Sequence, residues 1–237
     1  MTTNNNFYNN KVVYKPWGYE YVAYNNANRI GITFLKIKKG HKTSLHCHPK
    51  KKTGFIILSG KAQVQIGIYK KNRKSYTALS RLVFRPGLFH SIKALSNNGV
   101  CALELETPFK KNDLLRFEDS YGRKGKKYEG KKFTKKIGSD LMIFKKPKLG
   151  KEKIYKFKNL DILLEVRKNF KNLLKGGEKT TTAILDGKVI DNKGQSVISY
   201  GEIVKTSTLS ILSKVFKINK PLTILRVSKR KAVKRKV

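Results

Sequence analysis

Two histidines separated by one residue, His46 and His48, and a third, His90, reached through Arg85-Pro86-Gly87-Leu88-Phe89, are the side chains in this sequence best suited to chemistry. On an extended strand positions i and i+2 face the same side, so both rings of the pair point one way and Cys47 points the other. Cys47 is therefore excluded as a natural third ligand. His90 opens another predicted strand, and three imidazoles from two strands inside a small barrel can converge on one divalent ion such as Zn, Fe, Mn or Ni. The same pattern also occurs among surface and hydrogen-bonded core histidines. Glu104 and Glu106 alternate on the strand after His90, share a face and are the candidate catalytic carboxylates, with Glu20 further upstream.

The charge around these residues is one-sided. Between Glu20 and Glu104 there is no Asp or Glu, whereas 16 Lys and Arg occur there. A barrel built from such strands has a positive mouth that focuses its field on anionic ligands. Lys50, beside Lys51 and Lys52, and Arg85 before the Pro-Gly turn are the candidate anion-binding residues, although for any single one of the three lysines a solvated loop is the favoured reading. Over the whole chain of 237 residues 54 Lys and Arg face 15 Asp and Glu, a formal charge of +39. The excess is spread almost evenly and only 10 of the cations are Arg, so it argues against a focal nucleic-acid surface. The terminal KRKAVKRKV reads as a frayed basic tail or as a contact for an anionic surface. A polar start, two cysteines and no apolar run near 18 residues predict a cytoplasmic protein without membrane span or disulfide framework.

These side chains must be carried by strands. From residue 30 to 106, short β-prone runs (IGITFLKI, TGFIILSG, KAQVQIGIY, RLVFRPG, VCALELE) alternate with turn residues, as in an antiparallel sandwich or barrel. Ser59-Gly60 marks a tight turn into a half-buried strand. Near 159–174 Ile162, Leu163, Val166, Phe170, Leu173 and Leu174 fall on one helical face, which predicts a helix capped by Asn159 and stopped by Gly176-Gly177. The β pattern then returns. AILDGKV echoes IILSGKA, and ISYGEIV echoes FRPGLFH, which suggests a second β domain built like the first but without histidine, the other reading being an unrelated small β domain. The expected division is a polar tail at 1–13, a first domain with its extension at 14–139, a second β domain at 140–228 preceded by the helix, and a basic tail at 229–237.

Gly40, then His46-x-His48, Thr53, Gly60 and later Pro-Gly-x-x-His resemble the two-motif signature of the cupin superfamily. The segments KPWGYEY at 15–21, TSLHCH…GFIILSG at 43–60 and LELETPFKKNDLLRFEDSYGR at 103–123 are similar to the C-terminal cupin of type II phosphomannose isomerases. The tail match runs through Asp113, Arg116, Asp119, Tyr121, Gly122 and Arg123. The resemblance, which covers about residues 14–123, implies an all-β fold with a double-stranded β-helix or jelly-roll barrel; the internal echo adds a degenerate cupin-like β domain after it, joined by the one helix. It also implies a metal held by His46, His48 and His90, with Thr53 standing where the family places a Glu ligand. An ion with three neutral ligands keeps its full charge and is a strong electrophile.

By that resemblance the substrate is an anionic sugar, phosphorylated or nucleotide-linked, and the homodimer is the expected assembly. Trp17 and Tyr19 are candidate walls for the sugar ring, with Phe89 beside them. Three readings follow: a metal-dependent isomerase or epimerase of polysaccharide-precursor synthesis, a cupin that binds such a sugar without turnover, and a basic nucleic-acid- or surface-binding β protein. Thr53 and the scarcity of carboxylates favour the second over the first, the family likeness and positive mouth favour the first, and charge alone supports the third.

Overall fold

Runs of β-branched and aromatic residues broken by Gly, Pro and Asn form strands over almost the whole chain. The computed structural model describes residues 5–26, 29–126, 129–171, 173 and 180–230, and it divides into two units, Met1–Phe144 and Lys145–Val237. The first unit holds β1 (Lys11–Lys15), β2 (Gly18–Asn26), β3 (Ile30–Ile37), β4 (Leu45–Cys47), β5 (Lys52–Ser59), β6 (Ala62–Ile66), β7 (Arg73–Tyr76), β8 (Arg81–Phe84), β9 (His90–Ala94), β10 (Val100–Thr107), β11 (Leu115–Glu118) and β12 (Thr134–Lys136). The expected polar tail thus ends early, because Lys11, Val12 and Val13 pair with β12, and Val12 and Val13 also with β2.

These strands make two antiparallel sheets, β12-β1-β2-β3-β10-β5-β8 and β11-β4-β9-β6-β7. Their inner faces meet in a core that includes Trp17, Leu35, Phe55, Ile57, Val64, Phe84, Ile92 and Ala102. A second apolar cluster packs Tyr8 and Phe109 on Val13 and Val22 of β1 and β2. Gly60 turns the chain from the larger sheet into the smaller at φ 85°, where a Cβ would stand 2.2 Å from the Gly99 carbonyl oxygen. Only glycine fits there.

The second unit holds β13 (Glu152–Phe157), β14 (Leu160–Arg167), β15 (Thr181–Asp186), β16 (Lys188–Ile190), β17 (Ser196–Ser199), β18 (Ile203–Lys205), α1 (Thr206–Leu212), β19 (Lys217–Ile218) and β20 (Leu222–Lys229). The helix expected at 159–174 is corrected by this arrangement. Leu160, Ile162, Leu164 and Val166 are buried in alternation on β14, and Asn159, expected as its cap, lies in the turn from β13. Ile162 and Val166 satisfy both periods, and pairing with β20 from Leu160↔Lys229 to Arg167↔Leu222 decides for the strand. Leu174 and Gly176-Gly177 lie outside the described residues, as do residues 231–237 of the basic tail. The helix among the described residues is α1, and no described helix is long and apolar enough to cross a membrane.

Strand order repeats between the units. The sheet β13-β14-β20-β15-β18 has the connectivity of β2-β3-β10-β5-β8, and β17-β16-β19 that of β7-β6-β9. With Gly187 (φ 77°) set on Gly60, the pairs Leu103↔Ile56 and Glu104↔Phe55 correspond to Leu225↔Ala183 and Arg226↔Thr182. The corner before β8 also repeats: the Leu79 N–H donates to the Ile57 carbonyl and the Ile57 N–H to the Ser80 carbonyl, as Gly201 does to Ile184 and Ile184 to Glu202. Tyr200-Gly201 therefore matches the corner at Leu79, and the expected echo between ISYGEIV and FRPGLFH is displaced by one strand. Where the first unit runs from β8 through Pro86-Gly87 to His90, the second runs from β18 through α1 to β19.

Candidate metal centre

β4 places His46 opposite His90 of β9, and His48 follows at the end of the same short strand. Their ligand nitrogens lie within 4.8 Å of one another, with ring centroids 4.6, 5.0 and 5.5 Å apart. Cys47 is buried in the opposite direction from this pair's alternation. Each ring is oriented by a carbonyl: His46 Nδ1 donates to Ser44 O at 2.8 Å, His48 Nδ1 to Asp113 O at 2.5 Å and His90 Nδ1 to Leu88 O at 3.0 Å. A carbonyl only accepts, so the proton sits on Nδ1 and the Nε2 lone pair is left for a ligand. Nε2 of His48 and of His90 is buried without a hydrogen-bond partner.

Burial also keeps these rings neutral. It lowers His48 to about 4, helped by the Lys51 ammonium, and His90 to about 4, helped by His48. His46 is held well below the usual imidazole value by burial and then by His90 and His48. Three neutral imidazoles with converging nitrogens, two of them buried and unpartnered, fit a divalent ion.

The cavity beside the trio is lined by charge. Glu104 is buried, with Oε1 3.8 Å from His48 Nε2, and burial followed by the neighbouring Glu106 raises its pKa. Glu106 is different. Burial pushes it up, but the Lys111 and Lys51 ammonium groups outweigh this and hold it below the ordinary carboxylate range. Lys111 Nζ donates to Glu106 and to Thr33 Oγ1 at 2.7 Å each, and Lys51 Nζ donates to Glu106 at 2.5 Å and to Lys110 O at 2.9 Å. Farther along, Lys15 pairs with Glu129, and Arg123 donates to Glu129 at 2.9 Å and to Asp119 at 2.6 Å. Lys15, Lys51, Lys111, Arg116 and Arg123 all line the cavity, against Glu20, Glu104 and Glu106.

The expected site residues separate on this geometry. His46, His48, His90, Glu104, Glu106 and Trp17 line the cavity together. Lys50 and Arg85 are exposed and Tyr19 is half-buried, and none of the three is among the lining residues. Lys51 takes the inward place instead, because the Asp113 carboxylate accepts the N–H groups of Lys50 at 3.0 Å and Lys51 at 2.9 Å and fixes the loop. Tyr19 lies on the other side of β2 from Glu20, since the turn at Pro16-Trp17 interrupts the alternation that would carry it inward with Trp17. Thr53 is buried with its hydroxyl unpartnered and pairs in register with Glu106. Sequence reasoning missed Lys15 and Lys111, whose signal was their place within the quoted segments on either side of the barrel strands.

A two-sheet barrel that closes around three inward imidazoles from a His-x-His strand and a later Pro-Gly-x-x-His turn defines the cupin class. Within it, residues 2–119 match the model of the mannose-6-phosphate isomerase C-terminal family. The xanthan biosynthesis protein XanB of Xanthomonas campestris pv. campestris is 31% identical over 120 residues, covering 47% of this chain and 23% of that protein. The alginate biosynthesis protein AlgA of Pseudomonas aeruginosa is 28% identical over 120 residues, again 47% of this chain and 23% of the relative. The chain thus spans about a quarter of the length of the curated relatives it matches. Among solved structures, KdgF from Halomonas sp. matches with a TM-score of 0.37 and 14% identity, covering 40% of this chain and 84% of that one.

Proposed function

We propose that the protein is a metal-binding cupin acting on a phosphorylated or nucleotide-linked sugar, with mannose-6-phosphate isomerase-like chemistry in polysaccharide-precursor synthesis. The observation that carries the proposal is the pair of buried, unpartnered imidazole nitrogens on His48 and His90, facing a cavity that Lys51, Lys111, Arg116 and Arg123 also line. His46, His48 and His90 would hold the ion. When bound, it would polarise sugar oxygens and stabilise negative charge developing on them. The lysines and arginines attract and orient the anionic group, and Trp17 walls the cavity. Of the two carboxylates suited to moving a proton, Glu106 is engaged by Lys51 and Lys111 and acts as a positioning residue. Glu104, raised above its usual value and beside the imidazoles, is the candidate proton acceptor.

The repeated strand order supports a second assignment within this proposal: residues 145–237 are a degenerate cupin without a metal site. They contain no His or Cys, and the position equivalent to Glu104 is Arg226, which donates to Glu165 at 2.6 Å and to Leu173 O at 2.8 Å.

Element-resolved metal analysis of the purified protein, followed by a panel of sugar phosphates with NMR detection of C1/C2 proton exchange, tests the proposal. One first-row metal per chain and exchange that disappears in Glu104→Gln are expected. Saturable sugar-phosphate binding without exchange leaves the non-catalytic binding module, which Thr53 in the usual carboxylate slot favours. A metal-free protein that binds nucleic acid with a steep salt dependence replaces both readings.

A further inference from the structure

The segment after β10 does more than cap the barrel. It enters the site at two nearby residues, Lys111 and Asp113. Asp113 is 9% exposed and makes contact with the loop between β4 and β5 through both its backbone and its side chain. Its carbonyl oxygen accepts the His48 Nδ1–H at 2.5 Å, and its carboxylate accepts the Lys50 N–H at 3.0 Å and the Lys51 N–H at 2.9 Å. The two functions of one residue act on two parts of the site. The carbonyl leaves His48 with its lone pair on Nε2, aimed at the other imidazoles. The carboxylate fixes the backbone at residues 50 and 51, where side chains diverge: Lys50 is exposed and Lys51, 2% exposed, reaches Glu106 and Lys110 inside. A charged acceptor for two successive backbone N–H groups is among the stronger hydrogen-bonding arrangements available to a loop.

We infer that Asp113 is a positioning residue that couples the metal ligand His48 to the anion-facing Lys51, so that one residue of the β10–β11 connection sets both halves of the site. The inference rests on the metal-and-anion reading above and deepens it. Acting through a ligand's second nitrogen, such a group contributes about ten- to a hundredfold in metal affinity.

The experiment uses the full-length chain, Co(II) as the metal probe read by its visible absorption, and inorganic phosphate as the anion probe read by calorimetry. Asp113→Ala keeps the carbonyl that holds His48 but loses the carboxylate that ties residue 113 to the loop, and is expected to weaken Co(II) binding about tenfold, the low end of such an effect, and phosphate binding in parallel. Asp113→Asn, which keeps an acceptor oxygen for the two N–H groups, is expected to recover most of both, and Lys50→Ala to change Co(II) binding by less than about twofold. Wild-type affinities retained in a folded Asp113→Ala protein overturn the inference while leaving the metal reading intact. Failure of the wild type to bind Co(II) removes the metal reading itself. Should the alanine variant not fold, ¹⁵N-detected imidazole spectra of the metal-free wild type decide: the Nδ1–H tautomer at His48 is expected, and the Nε2–H tautomer overturns the inference.

Discussion

Glu106 sits between two ammonium groups with 2% of its surface exposed, so its removal is felt as two buried cations losing their counter-charge. Glu106→Gln is expected to cost roughly 3–5 kcal/mol in urea unfolding, whereas Lys50→Ala changes stability by no more than about 0.5 kcal/mol. Glu129 gives a pH signature. Burial pushes it up, but the Lys15 ammonium and the Arg123 guanidinium hold its folded pKa below the ordinary Glu value. A lowered folded pKa means stability that is present above the unfolded value near 4.5 and lost as pH falls through the folded one. The stability difference between wild type and Glu129→Gln, measured by chemical unfolding, is therefore expected to be largest at pH 6 and to shrink steadily below about pH 4.5. A constant difference across that range contradicts the ion-pair assignment. At this scale the imidazoles were legible because His-x-His spacing survives any strand placement. Lys51 was not, since a loop has no parity to read and Asp113, 62 residues away, chooses which lysine turns inward.

Strands are where sequence pattern spoke most clearly and once misled. The β-prone runs at β3, β5, β6, β8 and β10 are broken by turn residues, so their existence follows from residue type, whereas β7 (Arg73–Tyr76), exposed and followed by neither Gly nor Pro, carries no such signal. β14 misled, because Leu160, Ile162, Leu164 and Val166 share enough members with a helical stripe for both periods to fit, and only its partners β13 and β20 resolve the choice. The turn at Gly60 was legible for a stronger reason: no other residue escapes the Gly99 carbonyl. Gly60→Ala is expected to destabilise the protein by about 1–3 kcal/mol, seen as a lower unfolding temperature, and wild-type stability in that variant contradicts the close approach.

For the whole molecule, the proposed second barrel keeps the strand order of the first and exchanges its interior. Glu165 is 1% exposed and takes Arg226 and Arg167 as partners, so its charge is balanced by the chain itself. Chelation is therefore expected to speed amide exchange, followed by mass spectrometry, in strands β4, β9 and β10 and to leave β14, β15 and β20 unchanged. Protection lost equally in both sets contradicts the assignment of the metal to the first barrel alone. The repeated strand order was half-legible: AILDGKV and IILSGKA meet at equivalent turns, while the second echo pointed to the wrong corner because glycine was taken as the constant and the backbone bonds are what persist.

That corner has a consequence of its own. Leu79 holds φ at 70° where Gly201 holds 85°, so the same bend is occupied by a branched side chain in one copy and by none in the other. A leucine in that left-handed region gives up about 1–2 kcal/mol that glycine does not. The half of the chain with the histidines is thus the one bent against its residue's preference, and it has unspent robustness: a glycine at position 79 would relax the bend without touching any group that faces the ligand.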